Sequence, residues 1–185
     1  MNDAGFSIKK YYNELRGDET NVQWSRMVWN RYSLPKHRMI LWLAVQNRLK
    51  TKDRLMMMSI CSDDVCTICG QETGSVDHLM FRCTYSKQCF EMILGWLRIQ
   101  GCNRSLRQLN QWIRSRYKGT KTQKKVVIAA TAYHIWRRRN IAYWEASVRR
   151  IEKTVQEIKF SVKHRSLQLL SSKAKARDRE WIEKL

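Results

Sequence analysis

Cys66-Thr67-Ile68-Cys69-Gly70, followed by Asp77-His78-Leu79-Met80-Phe81-Arg82-Cys83, is the stretch that decides how this chain is organised. Its spacing is C-x2-C-x8-H-x4-C. A C-x2-C pair presents two sulfurs to one ion from a tight turn, and Gly70 lets the backbone curl behind the pair with positive φ. His78 adds a nitrogen and Cys83 a third sulfur. Three thiolates and one imidazole make a closed tetrahedral shell, the arrangement that holds zinc structurally, and soft sulfur ligands disfavour magnesium or calcium. Cys66, Cys69, His78 and Cys83 are therefore the predicted zinc ligands. With four protein ligands no position is left for a water, so the site reads as structural rather than catalytic. The deaminase pattern, a Glu two residues after a His and a Pro before a Cys pair, is absent. Cys61 and Cys89 read better as buried thiols, although each lies near enough in sequence to replace one of the four.

Outward from this loop the pattern is helical. The 185 residues contain one proline, Pro35, and seven glycines, far fewer turn residues than a β-sandwich or barrel needs. The fold class expected is mainly α: a small zinc-stapled helical domain with a zinc-knuckle-like loop, followed by long basic helices. Upstream, Ile8 to Leu15 and Trp24 to Tyr32 read as helices. Ser33-Leu34-Pro35-Lys36 is a break, because the residue before proline is pushed out of helical geometry. His37 to Leu49 resumes as a buried helix, and Lys52 to Met58 follows Thr51 as N-cap. Downstream, no proline or glycine interrupts Thr120 to Leu185, which reads as one or two long helices. Ile141, Trp144, Val148, Ile151, Val155, Ile158 and Val162 alternate spacings of three and four, the pattern of an a/d seam. Such a seam either folds back on its own domain or pairs with another chain.

Charge divides the chain. Residues 98–185 carry 23 basic and 6 acidic side chains, +17 of the total +20. The expected organisation is a zinc-binding helical domain over 1–97, a basic linker over 98–125 and a basic amphipathic extension over 126–185. No run approaches the ~18 apolar residues of a membrane span; the longest is Met39 to Val45. The N-terminus lacks the basic start and apolar stretch of a secretory signal, so the cysteines read as thiols or metal ligands rather than disulfides.

Several motifs together resemble a known family. These are Trp24-x4-Trp29, Leu34-Pro35-Lys36-His37-Arg38, Leu41-Trp42-Leu43-Ala44, Asn47-Arg48-Leu49-x-Thr51-x-Asp53-Arg54-Leu55, Cys66-x2-Cys69-Gly70-x-Glu72 and His78-Leu79-x-Phe81-x-Cys83. They resemble the zinc-binding domain that follows the polymerase in reverse transcriptases of plant LINE-type (non-LTR) retrotransposons. Gly5-Phe6-Ser7-Ile8-Lys9 with Tyr12 resembles that family's entry segment, and Ile135-Trp136-x3-Arg139-Asn140 the helix that follows its zinc module. The resemblance implies zinc on Cys66, Cys69, His78 and Cys83, and a role beside a reverse transcriptase. The chain itself shows no Tyr-x-Asp-Asp and no RNase H-type set of carboxylates, so it reads as a fragment or a stand-alone derivative.

A net charge of +20 calls for a polyanionic partner, with nucleic acid, RNA or DNA, first. The predicted contacts are Lys36 and Arg38, then Arg114, Arg116, Tyr117, Lys118, Lys121, Lys124 and Lys125, then Arg137, Arg138 and Arg139, then Arg149 and Arg150. Basic residues at phosphates give sequence-independent, salt-sensitive affinity. Tyr117 is the best placed of the aromatics to stack on an unpaired base. No enzyme is expected, because the six acids of 98–185 are scattered. The alternative is a zinc-stabilised protein-interaction adapter that pairs with a partner or itself through 141–162. The charge points to an intracellular, nuclear location.

Overall fold

The computed structural model describes residue 22, residues 24–97 and residues 121–168. The expected helix at Ile8 to Leu15 lies outside the described residues, as does everything beyond Gln168. The helices are α1 (Ser25–Val28), α2 (Pro35–Val45), α3 (Lys52–Met57), a π-helical turn (His78–Arg82), α4 (Thr84–Trp96), α5 (Lys121–Glu145) and α6 (Ile151–Gln168). There is no strand among the described residues; one isolated antiparallel bridge pairs Val65 with Thr73. The mainly α expectation therefore stands.

Local chemistry explains most boundaries. The α1 helix is shorter than the expected Trp24 to Tyr32 because Asn30 organises a turn in its place. Its Oδ1 accepts from the Ser33 N–H (2.9 Å) and hydroxyl (3.1 Å), and its Nδ2 donates to the Met27 carbonyl (3.2 Å). Pro35 does not merely break the chain: it opens α2, with Leu34 extended before it. Helices α2 and α3 end without glycine. Asn47 (φ 51°) and Ser59 (φ 55°) adopt the left-handed conformation, and the next N–H in each case returns to a carbonyl five residues back, Arg48 to Leu43 and Ile60 to Leu55. Thr51 does precede α3, but its hydroxyl donates to the Leu49 carbonyl instead of capping the helix.

The core centres on α5, where Val126 to Ala132 is buried on every side, as a central helix should be. One side meets Met27, Val28, Leu41, Ala44, Leu49 and the π-turn residues Leu79, Met80 and Phe81. The other meets Cys66, Cys83, Tyr85, Cys89 and Ile93, and Val155, Ile158 and Val162 of α6. Both halves of the core thus draw residues from either side of the composition boundary.

The seam of 141–162 is not a continuous helix. Ala146 takes φ 48°, and residues 146–150 are an exposed turn between α5 and α6. Tyr85 pins that turn: its hydroxyl donates to the Arg149 carbonyl (3.0 Å) and meets the Thr154 hydroxyl (2.7 Å). Val155, Ile158 and Val162 are spent on α4 and α5, while Trp144 (75% exposed) and Val148 face outward. The folding-back alternative is the one realised, and it buries the seam residues Val155, Ile158 and Val162 internally.

A polar cluster lies where α2, α5 and α6 meet. The rings of His37 and His134 lie 5.9 Å apart, and His134 Nε2 meets the Ser161 hydroxyl (3.0 Å). Burial, with His134 and Lys36, holds His37 down to about 3; burial, with Arg138, Arg137 and Lys36, holds His134 down to about 4 against the opposing effect of Glu157. Each folded value lies below the ordinary 6.5. The unfolded chain therefore binds more protons in that window, and stability falls as pH drops from 6.5 toward 4. Urea midpoints at pH 7 and pH 5 should differ in the wild type and converge in a His37→Gln, His134→Gln variant. Equal slopes in the two proteins would show that other groups carry the acid sensitivity.

Candidate metal centre

The ligand atoms of Cys66, Cys69, His78 and Cys83 all lie within 4.8 Å of one another. Metal–sulfur bonds of about 2.3 Å imply sulfur–sulfur edges of about 3.8 Å in a tetrahedron, so small shifts close this set on one ion. Three of the four residues are buried, and Cys69 is half-buried.

Each ligand is placed by a separate piece of local structure. Cys66 and Cys69 lie on a small hairpin. The Cys66 N–H donates to the Glu72 carbonyl (2.8 Å), the Gly70 N–H to the Cys66 carbonyl (2.8 Å) and the Gly74 N–H to the Asp64 carbonyl (2.7 Å). Gly70 has φ 66°, as the sequence requires. Gly74 is needed for a different reason: a Cβ there would stand 3.0 Å from the Lys52 Cβ and 3.2 Å from the Cys66 Cα. His78 opens the π-turn, with its N–H on the Ser75 hydroxyl (3.1 Å). The turn ends as the Cys83 N–H reaches the His78 carbonyl (2.7 Å), and Cys83 becomes the N-cap residue of α4.

The imidazole is oriented by Glu72, whose Oε2 lies 2.9 Å from His78 Nδ1. A carboxylate only accepts, so Nδ1 carries the proton and Nε2 turns its lone pair to the cluster, 3.3 Å from the Cys69 sulfur. Sequence reading gave Glu72 no role; an acid six residues before a ligand histidine was the available signal. Replacing Glu72 with Ala should weaken metal binding about 10- to 100-fold, read by chelator competition. An unchanged affinity would mean that the carboxylate does not orient the ring.

The sulfurs share protons. The Cys66 sulfur is held down at about 4, chiefly by the Cys83 thiol that donates to it, against the opposing effect of burial; the Cys69 and Ile68 N–H groups add to it. Cys83 is pushed up by the same partnership and by burial. A dication at the centre replaces that shared proton and lets all three sulfurs ionise, so the donor set fits zinc. Neither of the two other described thiols competes. Cys89 is buried in the core, where burial pushes it up to about 12, and Cys61 donates to the Lys52 and Asp63 carbonyls.

The predicted nucleic-acid contacts separate into groups. Lys36, Arg137, Arg149 and Arg150 are exposed, and Arg38 and Lys125 are half-buried. Arg138 (1% exposed) and Arg139 are buried, so phosphate does not reach them without opening the core. Arg114, Arg116, Tyr117, Lys118 and the side chains of Lys121 and Lys124 lie outside the described residues. The exposed group joins residues that the sequence reading passed over. Glu157 of α6 gathers Arg138, Arg149 (3.0 Å), His134 (3.4 Å) and Arg137 (3.5 Å). Lys36 stands 5.0 Å over the Tyr133 ring, next to His134, and Arg165 of α6 reaches the Arg31 carbonyl (3.5 Å). Lys36, Arg137 and Arg149 are thereby gathered around His134 and Glu157, and Arg165 and Arg31 meet at a separate point.

No helix among the described residues is long and apolar enough to cross a membrane. Comparison with curated proteins and with solved structures finds no match. The family model described as zinc-binding in reverse transcriptase matches residues 6–90, a span that contains Cys66, Cys69, His78 and Cys83, the candidate zinc site, and ends inside α4.

Proposed function

We propose that the chain is a non-catalytic nucleic-acid-binding module of the kind that accompanies the reverse transcriptase of plant LINE-type (non-LTR) retrotransposons, acting in the nucleus. Zinc holds the loop 66–83 and so the base of α4, while basic side chains contact the RNA or DNA backbone. The match to a zinc-binding domain rather than a polymerase supports a non-catalytic role. The observation that carries the reading is the basic cluster around Glu157. Lys36, Arg137 and Arg149 converge around His134 and Glu157, in a chain whose net charge is +20. Cations drawn from α2, α5 and the turn before α6, and pre-oriented by shared contacts, suit a phosphodiester backbone better than a point ligand.

Anisotropy of labelled single-stranded RNA and duplex DNA, across a salt series, tests this. The wild type should bind with affinity that falls steeply with salt. Exchanging Lys36, Arg137 and Arg149 for Gln should reduce the slope of log affinity against log salt by about two to three, since each lost phosphate contact removes about 0.7–0.9. No binding at low salt, or an unchanged slope, would overturn the assignment.

A further inference from the structure

Helix α6 holds an aromatic side chain out to solvent. Val155, Ile158 and Val162 turn inward, and Phe160 lies on the opposite side of the helix, 71% exposed and part of neither half of the core. The other described phenylalanines, Phe81 and Phe90, stack on each other at the core, 6.4 Å between ring centres. The ring contact of Phe160 is with His164, one turn further on: the two rings lie 5.8 Å apart and close to parallel, at 24°. His164 thus props one side of the phenyl ring, and the rest stays open.

The surroundings of that ring are cationic. Lys153 and Lys163 are exposed on the same side of α6, seven residues before Phe160 and three after it. A helical side chain leans over the turn N-terminal to it, so the phenyl ring lies toward Gln156 and Glu157. Glu157 holds Arg149 (3.0 Å) and Arg137 (3.5 Å), both exposed, beside that turn. This carboxylate is shared by Arg137, Arg138 and Arg149, so it does not offset the lysines. A flat ring set among cations suits a chain that carries flat bases and phosphates together. A second copy of this protein would bring the same lysines and arginines against these, which like-charge repulsion opposes. Sequence reading gave the stacking role to Tyr117, which lies outside the described residues.

We propose that Phe160, propped by His164, is a stacking platform for an unpaired base, and that the ligand of this face is a single-stranded nucleic acid. The proposal rests on nucleic-acid binding by the cluster around Glu157 and adds what that cluster lacks, a contact that a duplex cannot make. Phosphates on either side of the stacked base fall to Arg137 and Arg149 on one side and Lys163 on the other. Every base has a π-face, so the platform selects strandedness rather than sequence.

The test compares the full chain with Phe160→Ala, Phe160→Leu and Phe160→Trp by anisotropy, on an unstructured single-stranded RNA, the same sequence as single-stranded DNA, and a duplex DNA. Phe160 is exposed, so the variants should unfold at the wild-type urea midpoint. Phe160→Ala should weaken binding of both single strands about 5- to 150-fold, the range for losing one base stacked on an aromatic ring, and leave the duplex unchanged. The salt slope should not move, because no cation is removed. Phe160→Leu keeps an apolar side chain without a π-face and should lose nearly as much, whereas Phe160→Trp should bind at least as tightly as wild type. Single-strand affinity unchanged in Phe160→Ala overturns the proposal and leaves nucleic-acid binding standing. So does an equal loss on duplex and single strand, and so does full affinity in Phe160→Leu, which would make the contact apolar rather than stacked. A wild type that self-associates through this face, with Phe160→Ala monomeric and unaltered in single-strand affinity, would show a second copy to be the occupant. A wild type that binds none of the three probes at low salt defeats the nucleic-acid reading itself, and this proposal with it.

Discussion

Cys83→Ser is expected to remove the metal and, with it, most of the cooperative stability of the fold. Cys83 is fully buried and has two positions at once: it closes the ligand set, and it is the N-cap residue of α4. Serine is nearly isosteric and is itself a favoured N-cap. The substitution therefore keeps the helix start and removes the thiolate, so the loss belongs to the metal. Structural zinc contributes on the order of 10 kcal/mol or more at neutral pH, comparable with the whole stability of a domain of this size. The neighbours of Cys83 in the core, Cys66, Tyr85, Cys89 and Ile93, would lose their anchor together. The purified variant should contain no stoichiometric zinc, and its helical circular dichroism should be lost at much lower urea than in the wild type. Full zinc content with wild-type stability would show that the ligand set is wrong. His78→Ala should behave alike, because the imidazole is the nitrogen of the same shell.

The second large effect is expected at Glu157, far from the metal. Its carboxylate faces Arg138, whose side chain is 1% exposed and whose Nε and Nη1 have no partner. Removing it by Glu157→Ala strands a buried cation, which should cost about 3 kcal/mol, toward the lower end for buried pairs because Glu157 itself keeps 27% exposure. Arg138→Met removes the charge that needs compensation and fills similar volume, so it should cost far less, and the double variant should be more stable than Glu157→Ala alone. Equilibrium urea unfolding of the four proteins checks this. Similar losses in Glu157→Ala and Arg138→Met would mean that packing, not charge, governs the site. Glu157 also adds to the acid sensitivity. Burial pushes its carboxyl up, but Arg138, His134 and Arg137 outweigh burial and hold it below the ordinary carboxylate value. Its contribution is therefore present above that ordinary value and lost as pH falls through the lowered one.

Arg138 and Arg139 show why a charge run is hard to read. Three consecutive arginines on a helix point about 100° apart, so they cannot all face the same surface. Sequence alone shows three cations; the packing of α5 sends Arg137 outward, Arg138 to Glu157 and Arg139 between the Trp136 and Tyr143 rings. The seam shows the same limit. Spacing of three and four from Ile141 to Val162 is satisfied equally by one long helix and by a hairpin. What selects the hairpin is Tyr85, 64 residues before Arg149 in the chain, together with the apolar surface of α4.

The candidate metal ligands, by contrast, are legible without the fold. Coordination chemistry constrains residue type and spacing locally, and Cys66, Cys69, His78 and Cys83 lie within 18 residues. The helical class, the opening of α2 at Pro35 and the positive φ of Gly70 follow from equally local rules. The sequence by itself thus determined the candidate ligand set, the helical class and the sign of the charge. The tertiary structure decided which cations reach solvent, that Glu72 orients His78, where the last helix turns back, and that α5 joins both halves of the core. The division has one physical cause. Turn conformation and metal-ligand spacing are short-range, whereas burial and charge pairing depend on helices that meet only when the chain closes on itself.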